Sequence, residues 1–351
     1  VKSREHDDGM SDAGEKPKRR PRYSGRNPRG FEHKYKERDP GRYPDTVAKV
    51  IASGKTPAGS HLPILMDECL AALDLRAGDI GIDATLGYGG HAARVLEKIT
   101  PAGKLLGLDV DPVELPKTVE RLRALGNDEN VFEAVRSNYA GIAKVLAVRG
   151  IDGVDFVLAD LGCSSMQLDD PLRGFSFKVA GPLDMRMNPN RGLSAAEWLV
   201  KVQPDRLESV LRAHADEPRA AVLAAGLAGR GFSNTLALAG AVRQLSGGLD
   251  EGTIDITIRR VFQAVRIAVN EEFTALEAFL RVLPDCLKSG GRAVVMSFHS
   301  GEDRRVKKAF LAGLRSGVYT GISDGVVSAS PEERRLNPRS SSAKLRWAVK
   351  A

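Results

Sequence analysis
The chain has 351 residues, 42% of them apolar and 28% charged, with a formal charge of +7 and a pI near 9.3. That is enough for one large domain or two modest ones, and no stretch approaches the ~18 consecutive apolar residues a membrane helix needs. The three cysteines, Cys69, Cys163 and Cys286, are scattered without metal-ligand spacing. They read as reduced thiols of a cytoplasmic protein, and no metal is expected.

The positive charge is concentrated near the start. Between Lys16 and Arg42 there are 11 Lys/Arg against 3 Asp/Glu. No apolar h-region accompanies them, so a secretory signal is not expected. Residues 1–45 mix Pro, Gly, Arg and Lys without apolar periodicity and read as a flexible basic arm. Tyr23, Phe31, Tyr35 and Tyr43 are available there to stack on bases. Such an arm suits phosphate neutralisation on RNA or DNA; it is equally readable as a solvated tail without a specific partner.

A helix is predicted over Asp45–Ala52, a loop over Lys55–Ser60, and ordered structure from His61, with a helix across Met66–Leu73. Asp79–Ala84 is a short apolar strand candidate followed by a Gly-rich turn and a helix over Ala92–Ile99. Lys104–Asp109 is a second strand candidate, Thr118–Leu125 a helix, and Val154–Leu161 a third strand. Strands alternating with helices predict a parallel sheet of the α/β type. Between Met166 and Asn270 the strand signal disappears, and helices are predicted over Ser194–Val202, Pro204–His214, Glu217–Leu227 and Thr235–Leu245. One long helix is predicted over Asp255–Leu283, then a strand over Arg292–Phe298, a helix over Lys307–Leu314 and a closing strand over Ala343–Val349. The division expected is therefore an arm (1–45), a first part of an α/β domain (46–165), an inserted helical subdomain for substrate recognition (166–270) and the second part of the α/β domain (271–351). No internal repeat is found.

Two regions carry candidate chemistry. The first is Asp83-Ala-Thr-Leu-Gly87-Tyr-Gly89-Gly90-His91, between a strand and a helix. Glycines there allow a tight turn and close approach to a ligand, and the helix N-terminus offers free N–H groups. The alternative is an ordinary β–α turn. Asp109 ends the next strand, where an acid in doubly wound folds binds ribose hydroxyls; Asp111 competes, two residues further on. The glycine pattern lacks the third Gly of the dinucleotide fingerprint, so an adenosine bearing a sulfonium amino acid fits better than a pyrophosphate ligand.

The second region comprises two loops expected at strand C-termini. Asp160-Leu-Gly-Cys163-Ser164-Ser165-Met-Gln167 follows the third strand, and Ser297-Phe298-His299 the late one. Asp160 could accept hydrogen bonds from the exocyclic amine of a cytosine or adenine, a poor nucleophile that profits from such positioning. It could also cap a helix or bind adenosine. Cys163 reads as a nucleophile or as a small buried thiol, and His299 as an acid/base group or a structural hydrogen-bonder. The basic run Asn337–Arg346 could touch RNA phosphates or form a turn before a strand.

GYGGH (Gly87–His91), DLGCSSMQLDD (Asp160–Asp170), RGFSF (Arg173–Phe177), GPLDMRM (Gly181–Met187), SAAEWL (Ser194–Leu199), FQAVRI.VN (Phe262–Asn270), SFHSGEDR (Ser297–Arg304) and NPRSSSAKLR (Asn337–Arg346) occur in that order. Together they closely resemble the bacterial small-subunit ribosomal RNA cytosine-N4 methyltransferase family (RsmH, formerly MraW), from about His61 to the end. The resemblance implies a class I, Rossmann-like S-adenosylmethionine-dependent methyltransferase sheet with an inserted all-helical subdomain. It implies methylation at N4 of a cytidine in the decoding region of 16S rRNA within the small ribosomal subunit. It assigns the cofactor to Gly89, Gly90, His91, Asp109, Tyr139, Asp160 and Gln167, beside the turn at Gly87. The groups expected to hold the amine are Asp160, Ser164, Ser165, Ser297 and His299, without a metal or a covalent intermediate.

The chain departs from the family pattern at several places. Met166 stands for the Pro of S-P-Q, and Gly301 for the Leu of S-F-H-S-L-E-D. The segments Asp216–Arg219 and Asp255–Gln263 differ where substrate recognition is expected. Competing readings are a methyltransferase for another RNA or DNA base, a nicotinamide dehydrogenase, and a ribosome assembly factor without catalysis.

Overall fold
The computed structural model describes residues 63–351. The basic arm, the helix expected over Asp45–Ala52, the loop over Lys55–Ser60 and the expected start at His61 lie outside the described residues. In chain order the elements begin with α1 (Met66–Leu73), β1 (Ile80–Asp83), α2 (Gly90–Ile99), β2 (Lys104–Asp109), α3 (Glu114–Ala124) and β3 (Phe132–Arg136). Then come α4 (Ile142–Val148), β4 (Val154–Asp160), α5 (Ser165–Asp169), α6 (Ala195–Lys201), α7 (Pro204–Ala215), α8 (Ala220–Leu227), α9 (Thr235–Leu245) and α10 (Glu251–Val269). The chain closes with α11 (Glu272–Val282), β5 (Leu287–Ser297), α12 (Ser300–Arg315), β6 (Tyr319–Ile322), α13 (Pro331–Leu336) and β7 (Lys344–Lys350).

The strands form one seven-stranded sheet in the order β3-β2-β1-β4-β5-β7-β6. β1 to β5 pair in parallel, whereas β7 runs antiparallel to both β5 and β6. Alternation along each strand sends side chains to two separate cores. On β5, Ala293 and Val295 face the core made with α4, α11 and α12, while Val294 and Met296 face the one made with α1, α2 and α3. Covered on both faces, the central strands are almost continuously apolar, which is why they are visible in the sequence. The strand order reverses between β1 and β4, so the crevice beyond Asp83 and Asp160 is the place where such a sheet binds ligands.

The stretch without strands builds a third core of its own. It runs from Phe175, Leu183 and Met185 through α6–α9 to Val265 on α10. Capping residues explain several of the helix starts: Ser194 closes a capping box with Glu197, and Asn234 and Asp250 accept from the amides of Ala237 and Thr253.

Three departures from the sequence expectation have physical causes. β3 and β6 are edge strands in which only Phe132 and Tyr319 are buried, so they carry little apolar alternation. The helix expected over Asp255–Leu283 is two helices, α10 and α11. Glu271 between them takes a left-handed conformation (φ 52°), and the side chain of Asn270 turns back onto the backbone. The helix expected from Glu217 starts at Ala220, because Asp216 is left-handed (φ 48°) and Glu217 is buried, receiving the amide of Arg219.

Candidate active site
A cavity of about 400 Å³ opens at the reversal point, lined by the loops after β1, β2, β3 and β4, the end of α10, and Phe298, Arg339 and Ser342. At one end, Gly87 (φ 50°) and Gly89 (φ 69°) lead into α2. A Cβ on Gly89 would stand 2.9 Å from Thr118 Cγ2, so both conformation and space require glycine. Among the described residues no side chain caps α2, leaving the first amides around Gly90 and His91 for a ligand in the cavity.

Asp109 lines the same end. Its Oδ2 accepts from Gly87 N at 2.7 Å and its Oδ1 from Asp111 N at 2.8 Å. Each oxygen keeps a lone pair, and burial raises the carboxyl above its usual range. Asp111 is committed elsewhere. Its Oδ2 accepts from Arg173 Nη1 at 2.7 Å and Gln167 Nε2 at 3.0 Å, and its Oδ1 takes the amides of Val113 and Glu114. Tyr139 borders the cavity from a 3₁₀ turn. Its ring packs edge-on to Phe279 at 5.6 Å, and its hydroxyl donates to Glu272 O at 3.2 Å.

His91 and Asp160 meet at the centre. His91 Nε2 lies 3.0 Å from Ile64 O, so that nitrogen carries the proton and Nδ1 faces Asp160 Oδ2 at 3.7 Å. Burial lowers the imidazole pKa to about 4. Burial first, and then Asp83 and Glu302, push Asp160 up to about 8. Asp83 itself is raised to about 7 by burial, despite the amide of Thr85. Asp160 borders the cavity, and its buried Oδ1 has no hydrogen-bond partner among the described residues. Such an atom costs free energy unless a ligand satisfies it.

The loop after β4 is otherwise locked. Ser164 and Gln167 form a capping box on α5, with Ser164 N donating to Gln167 Oε1 at 3.0 Å and Gln167 N to Ser164 Oγ at 3.2 Å. Ser165 opens α5 and borders the cavity. Burial pushes the Cys163 thiol up to about 12, so it remains protonated and unsuited to attack as a thiolate.

Ser297 and His299 lie behind the wall. Ser297 is buried, and its Oγ is 3.4 Å from Lys344 O. His299 is the N-cap of α12, accepting from Glu302 N with Nδ1, and its ring packs against Phe273. Phe298, between them, is the residue that faces the cavity. Its amide donates to Glu302 Oε2 at 2.9 Å. Burial alone would raise Glu302, but His299, Arg266 and that amide outweigh it and hold the carboxyl below its usual range.

The structure adds residues that the sequence reading did not assign to the site. Arg266, Asn270 and Glu272 enter the cavity from the break between α10 and α11. Arg266 pairs with Glu272 through Nε at 2.9 Å and Nη2 at 2.8 Å. An Arg and an Asn four apart on a helix end, followed by an acid, mark one face, but nothing local says that this face meets a strand loop. Arg339 lines the mouth and contacts Asp169 Oδ1 at 2.5 Å.

Comparison with known proteins agrees with this architecture. A family model described as the MraW methylase family matches residues 58–351. Ribosomal RNA small subunit methyltransferase H 1 of Lachnoclostridium phytofermentans is 45% identical over 343 residues, 95% of this chain and 93% of its own. Ribosomal RNA small subunit methyltransferase H 2 of Alkaliphilus metalliredigens is 45% identical over 351 residues, covering 97% of this chain and 100% of its own. With a family match over all of the described structure and such identity across almost its whole length, the chain belongs to the MraW methylase family and is an S-adenosylmethionine-dependent methyltransferase.

Proposed function
We propose that the protein methylates the exocyclic N4 of a cytidine in the decoding region of 16S rRNA, with the small ribosomal subunit as its partner. The observation that carries the chemistry is the Asp160 carboxyl, which borders the cavity between the nucleotide loop and the acceptor side and whose buried Oδ1 has no partner among the described residues. The identity to proteins named for small-subunit rRNA methylation supports the substrate.

S-adenosylmethionine supplies an electrophilic methyl group. The chain's residues fit it: glycine-rich backbone at Gly87, Gly89 and Gly90 approaches the cofactor closely, and Asp109 has lone pairs for two ribose hydroxyls. Tyr139 borders the adenosine end, and Gln167 holds the α5 loop against Asp111. The Asp160 carboxylate accepts an N–H of the target amine and orients its lone pair. Beside a sulfonium the ionised Asp160 carboxylate would be favoured; as N4 bonds the methyl and the sulfur–methyl bond breaks to leave a neutral thioether, that carboxylate would take the proton N4 sheds, with His91 Nδ1 behind it. Ser164 and Ser165 shape the loop that carries Asp160, His299 acts at one remove by capping α12 at Glu302, whose carboxylate holds the Phe298 amide, and Ser297 is tied to Lys344 O. We further propose that the basic arm of residues 1–45 contacts RNA phosphates, and that the protein works in the cytoplasm.

The test is to incubate the protein with labelled S-adenosylmethionine and unmodified small subunits, then map the label by nuclease digestion and mass spectrometry. N4-methylcytidine in the decoding region is expected. Label on another nucleotide would move the target, and no label despite cofactor binding would reject the reading.

A further inference from the structure
Met185 is a buried side chain in the left-handed region, with φ 61°, an arrangement that an L-residue avoids unless its surroundings impose it. What imposes it is visible for every backbone polar group of Met185, Arg186 and Met187. Met185 N donates to Arg173 O at 3.0 Å, and Met185 O accepts from Asn270 Nδ2 at 2.7 Å. Arg186 N donates to Asp184 Oδ1 at 3.0 Å, and Arg186 O accepts from Arg173 Nη2 at 3.1 Å. Met187 N donates to Asn270 Oδ1 at 2.7 Å, and Met187 O accepts from Arg173 Nη2 at 2.9 Å. Four of these six groups rest on the side chain of Asn270 or of Arg173, two on each, and Met187 lines the cavity.

Both clamping side chains are themselves referenced to the site. Arg173 reaches through Nη1 to Asp111, which is buried two residues beyond Asp109 and also holds Gln167 of the α5 loop. Asn270 stands at the break between α10 and α11, and its Nδ2 donates as well to Arg266 O at 2.9 Å. A strained stretch of the helical region is thus tied on one side to the loop after β2 and on the other to the α10–α11 break that delivers Arg266 and Glu272.

We propose that Arg173 and Asn270 are positioning residues that hold Met187 as the acceptor-side wall of the cavity, in fixed register with the cofactor. A planar guanidinium with several donors can serve a carboxylate and two carbonyls together, and a primary amide can serve an N–H and a C=O on either side of one residue. The wall limits where an RNA base can sit relative to the methyl donor, and small displacements of that kind cost turnover rather than cofactor affinity. This inference rests on the methyltransferase reading of the same cavity.

The test compares the parent protein with Arg173→Lys, Asn270→Ala and the double variant. The readouts are kcat and KM on unmodified small subunits, affinity for S-adenosylhomocysteine by calorimetry, and thermal unfolding. For each single variant we expect kcat to fall on the order of 30-fold while S-adenosylhomocysteine affinity stays within about threefold. The double variant should lose little more than either single, because both release the same segment. Turnover within threefold of the parent would overturn the proposal, as would loss of cofactor affinity in proportion to the loss of kcat. Should a variant fail to fold, Met187→Ala leaves the clamp intact and removes the wall; unchanged kcat and KM there would also overturn it. Failure of the parent to methylate any RNA is a separate outcome that rejects the functional reading itself.

Discussion
The two ends of the cavity are built in different ways. The nucleotide end comes from contiguous loops: Gly87–His91 follow β1, Asp109 ends β2, and Tyr139 follows β3. Its useful groups are backbone amides and carboxylate lone pairs left open by strand and helix ends. The acceptor end is assembled from the α5 loop, Met187, the α10–α11 break, Phe298 and Arg339, and most of its polar side chains are already paired with one another. Binding at the first end therefore depends on single residues, whereas the second depends on networks. Damage at the first should appear in cofactor affinity and damage at the second in turnover.

Asp109→Ala gives the sharpest contrast. It removes the acceptor for ribose hydroxyls and orphans Gly87 N, and hydrogen bonds to a charged group contribute about 1.5–3 kcal/mol each. Affinity for S-adenosylhomocysteine should fall by on the order of 100-fold in a folded protein. Unchanged affinity in calorimetry would break the comparison at its first term. Gly89→Ala should act on the same end with a smaller effect. The left-handed conformation costs roughly 1–2 kcal/mol for a residue with a Cβ, and the new methyl meets Thr118. A drop of about tenfold in cofactor affinity is expected from titration calorimetry.

A weaker effect concerns pH. Asp160 and Asp83 have native pKa values of about 8 and about 7, raised chiefly by burial, above the value of an unfolded Asp near 3.9. The native state therefore holds more protons between those values. The stabilisation is complete below about pH 4 and is lost as pH rises through about 7 to 8. Ligand-free protein should melt a few degrees lower at pH 8.5 than at pH 5.5 through this effect, and Asp160→Asn should flatten the dependence in thermal melts. A slope unaltered by Asp160→Asn would remove Asp160 from the ionisable centre.

The smallest change is expected at His299, on the far side of the wall. His299→Ala removes the cap of α12 and should cost about 1 kcal/mol of stability, with kcat altered by less than about threefold. A hundredfold loss of kcat with unchanged stability would instead bring His299 to the chemistry and erase the distinction between wall and centre.

Sequence alone determined the parts governed by local periodicity and turn chemistry. The buried strands β1, β2, β4 and β5, most of the amphipathic helices and the glycine turn follow from patterns within a dozen residues, as does the place of Asp109 at the end of a strand. The eight ordered motifs carried the family and its cofactor, and the family match and relatives agree with them. Tertiary structure decided what depends on distant partners. It set Asp111 against Arg173 and Gln167, and left Asp109 with lone pairs to spare. It turned Ser297 and His299 behind Phe298, although the three are consecutive in the chain. It also broke one long helical pattern at Asn270, where side-chain bonds to Met185 and Met187, some 83 to 85 residues away, offset a left-handed Glu271. Periodicity reports which face of an element is buried, but the identity of the group that meets that face is a property of the packed chain.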